Sequence, residues 1–204
     1  MEKRCMFVNS GTSQVLEYLK SNFVGSLFLI EDLTLNLKLT YTSIRSILCH
    51  LCINGVILRV CRGVYFYPFF GHTNVYPTVI EVLFFLSSKG NYMICPTGDY
   101  LEYCLGIREV LPTKITCYTT GKQKILKLYD ETEVRLVPRK RHVFMETCSW
   151  HIMLLAQYIV ENNFTVSLNK TSLIRYIKNH YITDRDIISL PQEISKKILE
   201  LLQF

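Results

Sequence analysis

The stretch that most constrains the fold is Lys38–Pro68, KLTYTSIRSILCHLCINGVILRVCRGVYFYP, where a helical period gives way to a strand period across Asn54-Gly55 and no Asp or Glu occurs. Ile44, Ile47, Leu48 and Leu51, with Cys52 beside them, recur at spacings of three and four, which puts them on one face of a helix capped by Thr42 or Ser43. The other face carries Tyr41, Thr42, Ser43, Arg45, Ser46, Cys49 and His50, which are small, hydrogen-bonding or cationic. Asn54-Gly55 ends the helix. Val56–Val60 and Val64–Tyr67 are then two β-prone runs joined by Cys61-Arg62-Gly63, a hairpin with an arginine at its tip and Pro68 at its end.

A helix that presents polar side chains to base edges, followed by a basic hairpin beside the phosphates, divides the labour of DNA recognition. The hairpin supplies attraction that ignores sequence, and the helix supplies choice. The residues expected to contact DNA are Lys38, Tyr41, Thr42, Ser43, Arg45, Ser46, His50, Arg59 and Arg62. The competing reading is an ordinary amphipathic helix and hairpin with solvated arginines. Against it stands the missing acid: solvated faces intersperse both signs, whereas a phosphate-facing surface is penalised for every carboxylate.

The sequence before this stretch fits the same design. Thr12 to Lys20 starts with a cap candidate and places Val15, Leu16, Leu19 and Phe23 at helical spacing. Gly25–Leu29 reads as a short strand able to pair with the hairpin, Ile30–Leu37 as a second helix and Lys38–Thr42 as a turn. Helix, strand, helix, turn, helix, hairpin is the order of a winged helix-turn-helix.

Phe69–Pro77 has no period and two breakers, so a boundary is expected there, with Gly71 as pivot and domains at 1–70 and 71–204. Thr78–Ser88 is apolar nearly all round and reads as a buried helix. A second helix, Gly98–Leu105, has Asp99 as its capping residue. The runs Lys114–Thr119, Lys122–Tyr129 and Glu133–Pro138 predict a small sheet of antiparallel strands, hence an α+β class with a mixed second domain. Ser149–Glu161, Lys170–His180 and Pro191–Leu202 form a helical C-terminal tail, with Trp150, Met153, Leu154 and Tyr158 on one apolar face. Lys114, Lys122, Lys124 and Lys127, and the run Arg139-Lys140-Arg141-His142, suit either a phosphate or acidic partner or the protection of sheet edges against self-pairing.

The formal net charge of +6 comes from 23 basic and 17 acidic residues, a surplus that fits a small operator-binding regulator better than a bulk nucleic-acid coat. No window of about 18 apolar residues and no apolar leader core is present, so the chain is expected to be cytoplasmic and off the membrane. In a reducing compartment the eight cysteines are expected to be small buried hydrophobes rather than bridges. Cys49 and Cys52, with Cys61 downstream, have chelating spacing, but the pair falls inside a helix, and no metal is expected. Cys95 has no histidine motif to activate it. With scattered histidines and no phosphate-cradling glycine loop, neither enzymatic activity nor a cofactor is expected.

Two ordered blocks carry a resemblance. Asn54-Gly55-Val56-Ile57-Leu58-Arg59-Val60-Cys61-Arg62-Gly63-Val64-Tyr65-Phe66-Tyr67-Pro68 resembles the wing of the AbiEi-like antitoxins of type IV toxin–antitoxin systems. Ile94-Cys95-Pro96-Thr97-Gly98, Leu105-Gly106-Ile107, Leu111-Pro112 and Cys117-Tyr118-Thr119-Thr120-Gly121 resemble, in order, motifs of that family's second domain. The resemblance implies a DNA-binding antitoxin that represses its own operon through double-stranded DNA at its promoter and opposes a nucleotidyltransferase-like toxin. The chain departs from the family in its cysteine content, at Thr120, and in the charge balance of the third segment. The alternatives are a winged-helix module that binds protein through Val64, Tyr65, Phe66, Tyr67, Phe69 and Phe70, and a plain transcriptional regulator without a toxin.

Overall fold

The computed structural model describes residues 10–69, 76–90, 92–139, 149–163 and 169–202. The chain is of mixed α+β class and divides into two compact units. The first takes in the described residues up to Val82 together with Lys127–Thr132, and the second takes in Leu83–Leu126 and the described residues from Glu133 onward.

The first unit opens with α1 (Ser10–Asn22), β1 (Ser26–Leu29), α2 (Ile30–Asn36) and α3 (Tyr41–Ile53), and continues into a hairpin of β2 (Leu58–Cys61) and β3 (Val64–Tyr67). The strands form a three-stranded sheet in the order β1-β3-β2. Both pairings are antiparallel, with Leu29 opposite Val64 and Leu58 opposite Phe66. Asp32 of α2 accepts the Leu29 backbone N–H at 2.9 Å, which ties the start of α2 to the end of β1. Val15, Leu19, Phe28, Leu33, Ile44, Leu48, Leu51, Ile57, Tyr65 and Tyr67 form one buried cluster, so a face of α1, α2 and α3 shares a core with the sheet.

The cap of α3 differs from expectation. It is Thr40, whose Oγ1 accepts the Ser43 N–H at 3.3 Å, and not Thr42 or Ser43. Thr40 in extended backbone leaves its hydroxyl aimed at the first free amides, whereas Thr42 and Ser43 already lie within the helix. Val64 to Tyr67 are all buried, so these four side chains do not present the apolar face expected of a protein-binding hairpin. Phe69 is exposed; Phe70 and the expected pivot Gly71 lie outside the described residues.

α4 (Val79–Lys89) runs from the first unit into the second. The second unit then holds β4 (Ile94–Pro96), α5 (Asp99–Cys104), β5 (Ile115–Thr119), β6 (Lys124–Lys127), β7 (Glu133–Pro138), α6 (Trp150–Glu161), α7 (Lys170–Asn179), α8 (Asp184–Ile188) and α9 (Gln192–Leu202). Its sheet has the order β4-β5-β7-β6. β4 is antiparallel to β5, but β5 and β7 are parallel, with Cys117 opposite Leu136. The antiparallel expectation fails because the chain passes to the outer strand β6 before β7 inserts beside β5.

Asp99 is the first helical residue of α5 and pairs with Arg108 at 3.1 Å, while Gly98 is the cap residue. Gly98 has φ 59° and no side chain to cap with. Glu161 at the end of α6 anchors the residues that lead into α5: it takes the Gly98 N–H at 3.0 Å and the Thr97 hydroxyl, and also the Gln157 side-chain amide at 2.7 Å. Ser149 caps α6, accepting the Ile152 N–H, and α6 is buried on nearly every side from Trp150 to Ile159. Such a helix serves as the core element of its unit.

Candidate nucleic-acid interface

Every residue expected to contact DNA is solvent-exposed: Lys38, Tyr41, Thr42, Ser43, Arg45, Ser46, His50, Arg59 and Arg62. They do not form one uniform patch. At about 100° per residue around α3, Tyr41 and Arg45 share a stripe with Cys49 and the half-buried Cys52, Thr42 and Ser46 lie next to it, and Ser43 and His50 fall on the far flank. Ile44, Leu48 and Leu51 are fully buried on a face adjacent to that stripe and opposite Thr42 and Ser46, which fixes the roll of the helix.

The hairpin shares the core of α3. Tyr65 of β3 is 7% exposed, its ring stacked on Phe28 with centroids 5.7 Å apart. Burial pushes the Tyr65 hydroxyl up from its ordinary range, opposed by the Arg59 guanidinium and then by that of Arg45, while Cys52 and Tyr41 act in the same direction as burial. Residues of α3 and of β2 are therefore close enough to act electrostatically on a single group. Arg59 stands opposite Tyr65 in the strand register, and a bulge between Arg59 and Cys61 locally twists the hairpin. Arg62-Gly63 form the tip; Gly63 has φ 83°, in the left-handed region that glycine adopts without steric cost.

Cys52 is more than a core residue. Its thiol is pushed up to about 11, first by burial and then by Cys49, against the charge and backbone N–H of Arg59. It stays protonated at neutral pH and sits at the joint between α3 and β2. Cys49 is exposed, Cys61, Cys95 and Cys117 are buried, and Cys5 and Cys148 lie outside the described residues. Among the described residues, His, Cys, Asp and Glu side chains do not gather in groups of three that could hold a metal ion.

Lys38 stands apart from the rest. It lines a cleft of about 410 Å³ with Gln14, Glu17, Tyr18, Ser21 and Asn22 of α1 and the end of α2. Thr42 and Ser43 are partly engaged: their hydroxyls lie 3.1 and 2.8 Å from that of Thr40. Thr40 and Tyr65 are the residues that sequence reasoning missed. For Tyr65 the available signal was a hydroxyl-bearing residue within the buried run Val64–Tyr67.

A family model described as "Family of unknown function (DUF6088)" matches residues 14–139, well over half of the chain. The chain belongs to this family. The family segment spans the α3 face, the hairpin and the mixed sheet, and leaves the helices from α6 onward outside it. No curated protein matches the chain. No helix among the described residues is long and apolar enough to cross a membrane.

Proposed function

We propose that the first unit is a winged helix-turn-helix and that the protein is a sequence-specific duplex-DNA-binding repressor acting at its own promoter from the cytoplasm. The observation that carries this reading is the packing of α3 and the hairpin on one core with Arg45, Arg59 and Arg62 all exposed, within a stretch free of Asp and Glu. A recognition helix and a cationic wing must act on the same duplex at once, and a shared core holds the two elements together.

In this reading α3 enters the major groove. Arg45, with Thr42 and Ser46 beside it, meets base edges, where a good bidentate contact contributes about 1–3 kcal/mol of discrimination. Arg59 and Arg62 neutralise phosphates and release counterions, a contribution that does not depend on sequence. Ser43 and His50 on the flank contact the backbone. None of these steps makes or breaks a covalent bond, and the protein is proposed to be a non-enzyme.

The antitoxin role, opposition to a nucleotidyltransferase-like toxin, rests on the resemblance to the AbiEi-like family in its two motif blocks. It is assigned to the second unit.

The test is a titration of the intact protein against a labelled duplex taken from immediately upstream of its own coding sequence, beside a shuffled duplex. Specific binding tighter than the shuffled control by about 10³-fold or more is expected. Absence of binding to either duplex at about 50 mM salt, where phosphate attraction is strong, overturns the reading. Co-expression with a neighbouring nucleotidyltransferase-like gene tests the antitoxin half separately: rescue of growth supports it, and unrelieved toxicity contradicts it.

A further inference from the structure

The stretch Tyr118-Thr119-Thr120-Gly121 plays no part in the helix-and-hairpin interface, yet it organises one end of the second unit's sheet. Thr119 is fully buried; its hydroxyl donates to the Met93 carbonyl at 2.9 Å and accepts the Gly121 N–H at 3.0 Å. The Thr120 hydroxyl accepts the Met93 N–H at 2.9 Å. These bonds close the approach to β4 against the end of β5 and seat Tyr92 on Gly121, where an added Cβ would come within 3.1 Å of the ring.

Two cations are held on tyrosines at this end. The Lys124 ammonium donates to the Tyr92 hydroxyl at 2.8 Å and lies 4.4 Å from its ring centroid. Arg139, whose backbone N–H donates to the Thr119 carbonyl at 2.9 Å, places its guanidinium 4.5 Å from the Tyr118 ring and donates to that hydroxyl at 3.3 Å. The described segments that meet here, 87–90, 92–94, 118–126 and 137–139, contain Lys89, Lys122, Lys124 and Arg139 and no Asp or Glu. A cation held over a ring keeps its full positive charge, which a carboxylate partner would cancel. Protection of a sheet edge accounts for Lys124 at the outer strand, but not for Arg139, which follows the interior strand β7.

We propose that this end of the sheet binds single-stranded nucleic acid, with Lys122, Lys124 and Arg139 on the phosphates and the Tyr118–Arg139 stack as a platform for an unpaired base. Unpaired bases expose the flat faces that aromatic rings and guanidinium planes stack on, whereas a duplex hides them. The surface uses no residue of α3 or the hairpin and does not depend on the duplex-binding reading.

The experiment measures fluorescence anisotropy of the full chain with labelled oligouridylate, oligothymidylate and an unrelated duplex. Micromolar or tighter binding of a single strand in preference to the duplex is expected, and the two single strands tell RNA from DNA. Lys124→Gln with Arg139→Gln should weaken it by about tenfold or more, since each removed cation leaves one phosphate without its counter-charge. Tyr118→Phe, which keeps the ring, should have a smaller effect, and Arg45→Ala and Arg62→Ala none. Circular dichroism of each variant controls for folding. No single-strand binding, a preference for the duplex, or a loss that follows Arg62→Ala instead of Arg139→Gln overturns the proposal. Each of these outcomes leaves the promoter-duplex measurement free to succeed or fail on its own.

Discussion

Arg59 of β2 stands directly across the hairpin from Tyr65 of β3, so a cation and a mostly buried phenol share one cross-strand position at the edge of the core. The ring packs against Phe28, and the hydroxyl, though desolvated, lies within the field of Arg59. Tyr65→Phe should separate the two roles. Melting temperature should change little, while promoter-duplex affinity falls by about 0.5–1.5 kcal/mol, the usual net worth of one polar interaction. Tyr65→Ala should instead destabilise the fold by about 3–5 kcal/mol, as removal of a buried aromatic does. Thermal denaturation beside binding titrations distinguishes the outcomes.

Arg45 is expected to set base preference. Arg45→Ala should flatten the difference between the native duplex and its point variants at one or two positions by about 1–3 kcal/mol. Equal weakening on every duplex would move Arg45 from base edge to phosphate.

Thr40→Ala removes the side chain that caps α3 and holds the hydroxyls of Thr42 and Ser43. A loss of about 1 kcal/mol in chemical denaturation is expected, with Thr40→Ser recovering most of it.

In the second unit His151 of α6 stacks on His180, at the end of α7, with ring centroids 4.0 Å apart, and His151 Nδ1 lies 3.1 Å from the Tyr176 hydroxyl. Burial lowers both histidines, and for His151 the neighbouring His180 adds to the effect. In the folded state they bind protons less readily than in the unfolded chain. Their contribution is therefore fully present above the ordinary histidine value of about 6.5 and is lost as pH falls through the lowered values. Melting temperature should drop below that pH in the native chain, and less steeply in His180→Gln, which removes one of the two charges that would face each other.

Much of the first unit is legible in the sequence because each of its elements carries its own period. Ile44, Leu48 and Leu51 announce α3, Asn54-Gly55 its end, and Arg62-Gly63 the turn. What stays hidden depends on partners distant in sequence. The parallel pairing of β5 and β7 follows from β6 taking the outer position, which no local pattern records. Glu161 anchors the residues that lead into α5 from 63 residues away, and α8 is five residues long with a single fully buried side chain, Ile187, too short to register a period. The exposure of the polar and cationic side chains on α3 and the hairpin is legible from residue type, but Tyr65 reads locally as part of an apolar run. Lys140, Arg141 and His142, expected beside Arg139, lie outside the described residues.

If the acid-free helix and hairpin press against a duplex as one surface, the salt dependence of promoter-duplex binding must register the wing arginines. The decisive comparison is between the native chain and Arg59→Ala with Arg62→Ala. The slope of log Kobs against log salt should become shallower by about two units in the double variant, one for each phosphate no longer neutralised, with affinity falling on all sequences alike. An unchanged slope would refute the proposed interface.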